Sequence, residues 1–152
     1  MFKYDYDTFG WRNSDKQGLN DLKRIYEELV PYYNLDTNRL YAAGISAGGT
    51  FAVMACFNQA IPLKGYLGVC TGFPSELSLE SFAKHTRLKA YMVVGENDFN
   101  KPRQDSLREL YEKYSINYSY NMIDSMGHQY PDNFDTWLDS GINFLLKDHE
   151  LD

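Results

Sequence analysis

The chain has 152 residues, 43% of them hydrophobic and 24% charged, a balance that fits one folded domain and excludes a disordered segment. A formal charge of −6 and a pI near 5.0 argue against binding to a phosphate backbone as the main task. No apolar run approaches the roughly 18 residues that a membrane span requires, so neither nucleic acid nor membrane is expected as a partner.

At the N-terminus, Met1 to Asp5 lacks the apolar stretch of a signal peptide. Segment Phe2 to Phe9 alternates well enough to form one short strand. Ser14 with Gln17 three residues on resembles a capping box, and from Leu19 the residues Leu22, Ile25, Tyr26, Leu29 and Val30 recur at helical spacing, with Pro31 near the end. Arg39 to Ser46 reads as a short buried strand running into a turn, and Ala47 to Phe57 as a helix enclosed by protein. Leu63 to Cys70 and Leu88 to Val94 are two further apolar strands. Ser75 to Lys84 suits a short helix between them.

Pro102 falls in the first turn of the next helix, where its missing N–H costs nothing; Leu107, Leu110, Tyr111 and Tyr114 share one face. Tyr118 to Ile123 forms a fourth strand. Phe134, Trp137, Leu138, Ile142 and Leu145 mark a final amphipathic helix. Helices alternating with strands imply an α/β fold of three layers, α/β/α, around a mostly parallel sheet, in a single domain over residues 1–152. Cys56 and Cys70 are the only two cysteines and stand at no metal-ligand spacing. Buried free thiols, no cofactor, no metal and a cytoplasmic location are therefore expected.

In parallel sheets the chemistry collects beyond the C-terminal ends of the strands. The first such end carries Gly44-Ile45-Ser46-Ala47-Gly48, then Gly49, which fits G-x-S-x-G with a strand before it and a helix after it. A serine on so sharp a turn needs small neighbours. The turn also points its hydroxyl at a helix N-terminus, where the N–H of Ala47 is a candidate oxyanion donor.

A serine hydroxyl needs a base. His149 lies in the polar C-terminal tail and His85 precedes a strand, at the wrong edge of the sheet. His128 follows the fourth strand, with Gly127 beside it to let the loop bend back toward the serine. The acid that would orient an imidazole follows the third strand in Gly95-Glu96-Asn97-Asp98. Asp98 is the first choice and Glu96 the second, with Asp124 a weaker rival because it lies so near His128 in the chain. The order serine, acid, histidine belongs to this architecture.

The runs RLYAAGISAGGTFAVMA, GENDFNKP and GHQYP together resemble the α/β-hydrolase superfamily. The nearest branches are the dienelactone-hydrolase-like, polyhydroxyalkanoate-depolymerase-like and feruloyl-esterase-like esterases. The resemblance implies a serine hydrolase that cleaves carboxylic esters through an acyl-enzyme, with Ser46 as nucleophile, Asp98 as acid and His128 as base. It also implies several strands ahead of the serine, and only 45 residues precede Ser46. The chain therefore reads as a truncated α/β-hydrolase fold, either part of a longer hydrolase or a reduced version of one.

No HGGG-like segment is present upstream to supply a second oxyanion N–H. The strand Arg39 to Ile45 is expected to pair its open edge with the N-terminal segment or with a second copy, giving a homodimer. The substrate would be a small-molecule ester, with Phe73 and Tyr130 as walls of its pocket. The rival readings are a serine peptidase of the prolyl-oligopeptidase type and a non-catalytic binding or assembly module.

Overall fold

The computed structural model describes residues 15–74 and 76–147. Its elements alternate as α1 (Asp15–Leu29), β1 (Tyr41–Ile45), α2 (Ala47–Asn58), β2 (Gly65–Val69), α3 (Leu79–Lys84), β3 (Lys89–Gly95), α4 (Lys101–Lys113), β4 (Asn117–Ile123) and α5 (Phe134–Leu146). Every strand expected from the pattern between residues 39 and 123 is present. The short strand expected at Phe2 to Phe9, the cap at Ser14 and the tail histidine His149 lie outside the described residues.

The four strands form one parallel sheet in the order β1-β2-β3-β4. Side chains alternate across it with period two. Tyr66 of β2 and Ala90, Met92 and Val94 of β3 face one way, into a core shared with Phe57 of α2, Phe82 of α3 and Leu107 and Tyr111 of α4. Leu67, Val69, Tyr91 and Val93 face the other way, where Trp137, Leu138, Phe144 and Leu145 of α5 cover them. Three layers result, and the sheet's two central strands are buried along their whole length.

Local chemistry sets the element boundaries. α2 is apolar almost all round because protein encloses it, and Val53 to Phe57 are buried. α3 starts later than the pattern suggested, because Ser78 caps it by accepting a hydrogen bond from the Ser81 N–H. α4 begins with Pro102 in its first turn. In α1 the apolar stripe is only partly used: Leu19 and Leu22 pack on the core, whereas Ile25, Leu29 and Val30 are exposed. Among the described residues β1 has a neighbouring strand on one side only. No described helix is long and apolar enough to cross a membrane.

Candidate active site

Ser46 joins β1 to α2 at φ 53°, ψ −119°, a region that a side-chain-bearing residue occupies only under constraint. Its neighbours supply that constraint. The Ser46 N–H donates to the Val69 carbonyl at 2.9 Å, and the Ser46 carbonyl accepts from the Thr50 N–H at 2.9 Å and the Thr50 hydroxyl at 3.0 Å. Thr50 Oγ1 in turn accepts from the Gly72 N–H at 2.8 Å, which ties the turn to the loop after β2. Gly44 is required by close approach, since a Cβ there would sit 2.4 Å from the Gly48 carbonyl carbon. Gly48 differs from the sequence expectation. Nothing lies within 4 Å of the Cβ it lacks, so the turn has room for a side chain there.

Asp98 sits in the turn after β3 and is 4% exposed. A carboxylate this buried needs donors, and three nitrogens reach it. The Asn100 N–H bonds Oδ1 at 2.9 Å, Gln104 Nε2 bonds Oδ2 at 3.0 Å, and His128 Nδ1 lies 2.8 Å from Oδ1. Because an ionised carboxylate only accepts, Nδ1 carries the proton and Nε2 presents a lone pair. That lone pair faces the Ser46 hydroxyl, with Nε2 and Oγ 2.8 Å apart. Ser46, His128 and Asp98, drawn from three loops, thus form one continuous hydrogen-bonded chain.

The other carboxylates and histidine stand elsewhere. Glu96 turns away and accepts from the Ser125 N–H at 2.8 Å, which pins the loop that carries His128. Asp124 is exposed. His85 closes α3 just ahead of β3, at the opposite end of the strands from Ser46.

The loop bearing His128 bends for a different reason than expected. Gly127 has open space around it, and the left-handed turn is made by Ser125 at φ 59°. The glycine that the loop needs is Gly95, at the end of β3. A Cβ on Gly95 would meet the Met126 carbonyl oxygen at 2.5 Å and that of Gly127 at 2.6 Å. The loop crosses directly over that bare backbone, held there by the Asn97 N–H donating to the Met126 carbonyl at 2.9 Å.

Cys70 ends β2 beside this cluster. Its thiol contacts the Gly127 and Gln129 carbonyls at 3.7 and 3.5 Å. Burial first, then the hydrogen bond and negative charge of Asp98, push the thiol up to about 11, so it stays protonated near neutrality and acts as a donor. Donor atoms of Cys70, Asp98 and His128 lie within 4.8 Å of one another, close enough to grip a metal ion. As they stand, these atoms serve as hydrogen-bonding partners.

Three contributors escaped the sequence reading. Gln104 holds the second oxygen of Asp98. Asn100 gives its N–H to that carboxylate and its side-chain amide to the Cys70 carbonyl at 3.2 Å. Phe99 is 69% exposed and lays its ring against the His128 imidazole, with centroids 4.2 Å apart. Of the two expected pocket walls, Tyr130 is half exposed and packs edge-on against Phe134. Phe73 is partly buried and packs against the larger core.

At the mouth of the cluster, Ala47 is the first residue of α2. A helix leaves its first N–H groups without intrahelical acceptors, so that end suits a developing negative charge beside Ser46. The arrangement can deprotonate a hydroxyl and stabilise an oxyanion.

No protein-family model matches the chain, and no curated protein sequence does. Solved structures do. An uncharacterized protein from Bacillus cereus ATCC 10987 superposes with a TM-score of 0.79 at 21% identity, over 95% of this chain and 48% of that one. SOBER1 from Arabidopsis thaliana gives 0.71 at 12% identity, over 88% of this chain and 65% of that one. A Bacillus cereus carboxylesterase gives 0.71 at 18% identity, over 96% and 67%. The chain spans about half the length of the first of these. What the chain shares with them, at 12–21% identity, is the fold: a mostly parallel sheet covered by helices.

Proposed function

We propose that this chain is a serine hydrolase that cleaves small carboxylic esters through an acyl-enzyme intermediate. One observation carries the reading: two consecutive 2.8 Å contacts link Ser46 Oγ to His128 Nε2 and His128 Nδ1 to Asp98 Oδ1. The fold it shares with proteins that include a carboxylesterase adds support.

In this mechanism Ser46 attacks the ester carbonyl while His128 Nε2 takes its proton. The carbonyl oxygen becomes an oxyanion against the Ala47 N–H at the α2 terminus. Asp98 holds the imidazole in the tautomer that leaves Nε2 free to accept, and it stabilises the imidazolium that forms. His128 then gives the proton to the departing alcohol, leaving the acyl group on Ser46. Water, deprotonated by the same imidazole, releases the acid and regenerates the hydroxyl.

A fluorophosphonate probe tests the reading. Wild type should be labelled and Ser46→Ala should not. No label on wild type, together with no turnover of p-nitrophenyl acetate or butyrate, would favour a non-catalytic binding module on the same fold.

A further inference from the structure

Phe99 follows a carboxylate that is 4% exposed, yet its own ring is 69% exposed. A single exposed apolar side chain is ordinary, but this ring lies against the His128 imidazole. Core packing does not account for its placement, because Phe99 belongs to neither core cluster. Its contact is with His128, where the two rings tilt by 34° with centroids 4.2 Å apart. Tyr130, two residues beyond His128 on the same loop, is 50% exposed and braced edge-on by Phe134 at 4.8 Å. Two large aromatic side chains therefore stand in solvent on the two turns that carry the acid and the base.

The reaction geometry says which half of a substrate would meet them. His128 Nε2 must hand its proton to the departing alcohol, so that alcohol passes over the imidazole. The acyl oxygen instead turns toward Ala47 at the α2 terminus. A ring laid at a tilt against the imidazole is thus among the first surfaces met by the alcohol portion. Its open face is a π-surface, which prefers an offset or edge-on aromatic partner over an aliphatic one of equal size.

Building on the hydrolase reading above, we infer that Phe99, with Tyr130 exposed on the loop that carries His128, forms a leaving-group subsite selective for esters of planar aromatic alcohols. An aromatic pair of this kind corresponds to roughly a 2- to 10-fold rate preference.

Benzyl acetate and cyclohexylmethyl acetate test this. They share an acyl group and a similar leaving-group size, and differ in whether the alcohol's ring is aromatic. Wild type should show kcat/KM higher for the benzyl ester by roughly 2- to 10-fold. Phe99→Tyr, which keeps the ring, should keep the ratio, and Phe99→Leu should bring it close to one. A wild-type ratio near one, or a ratio that survives in Phe99→Leu, overturns the subsite while leaving the hydrolase reading intact. Fluorophosphonate labelling of wild-type Ser46 is measured alongside; failure to label, with neither ester turned over, overturns both.

Discussion

Replacing Gly95 with alanine tests the site through a residue that takes no part in the chemistry. The new Cβ would lie 2.5 Å from the Met126 carbonyl oxygen and 2.6 Å from that of Gly127. A carbon–oxygen contact settles at about 3.3–3.6 Å, so the loop must retreat by about 0.7–1 Å. Both obstacles are backbone atoms, and no side-chain rotation relieves them. His128 is the next residue along, and its Nε2 stands 2.8 Å from Ser46 Oγ. A retreat of that size carries the pair outside hydrogen-bond range. Misplacement of about 1 Å costs on the order of 10²-fold in rate, and overpacking adds about 1–3 kcal/mol of destabilisation. Gly127→Ala is the control, since nothing lies within 4 Å of its missing Cβ. The assays are kcat/KM on p-nitrophenyl acetate and thermal denaturation followed by circular dichroism. Gly95→Ala should lose on the order of 10²-fold in kcat/KM while Gly127→Ala stays within about 3-fold of wild type. Wild-type activity in Gly95→Ala, or an equal loss in Gly127→Ala, would refute the reasoning.

Other outcomes follow from the same geometry. Asp98→Asn should lower kcat by about 10⁴, because an amide can hold the imidazole in the wrong tautomer. Glu96→Gln should cost far less, since Glu96 only anchors the Ser125 N–H; equal losses in kinetic assays would reverse the choice of acid. Gln104→Leu leaves Oδ2 of the buried Asp98 without a donor, and urea unfolding should show a loss of about 1–3 kcal/mol. A variant as stable as wild type would contradict that bond's role. Cys70 is raised from 9.0 to about 11, so at pH 8 its thiolate fraction should be roughly a hundredfold below that of an unfolded cysteine. Reaction with a disulfide reagent should be slow in the native protein and fast in denaturant. The sign of the linkage follows: the folded thiol binds its proton more tightly than the unfolded one. Its contribution to stability is therefore whole below about pH 9 and falls as pH rises toward 11. Stability rising over that window would contradict it.

Much of this arrangement is legible in the sequence because parallel sheets impose a rule of place. Ser46, Asp98 and His128 each follow an apolar run, and knowing that the runs are parallel puts all three at one edge. The choice between Glu96 and Asp98 was not decidable from spacing, since both leave β3 within three residues. It is made by a distant event, the arrival of the Ser125 N–H to occupy Glu96. The glycines were misread for a related reason. Gly127 invites a turn by its identity, but the crowding is at Gly95, where two segments 31 residues apart in the chain (95 and 126) cross. Such crossings leave no local trace.

Gln104 did leave one. It lies three and seven residues before Leu107 and Tyr111, on the buried stripe of α4, and a polar residue on an apolar stripe signals a buried partner. Phe99 left none, because an exposed aromatic gains its meaning only once His128 is seen beneath it. The boundaries of α3 depended on the Ser78 cap, which the apolar pattern alone overlooks.

The central claim is that Ser46 carries the acyl group during turnover. Wild-type protein mixed with p-nitrophenyl acetate, quenched in acid within the first turnovers and mapped by peptide mass spectrometry, tests it most directly. The account predicts the mass of one acetyl group on the peptide containing Ser46, absent from Ser46→Ala and accumulating with the initial burst of p-nitrophenol. Turnover with the acetyl group on another residue, or at an undiminished rate in Ser46→Ala, would contradict it.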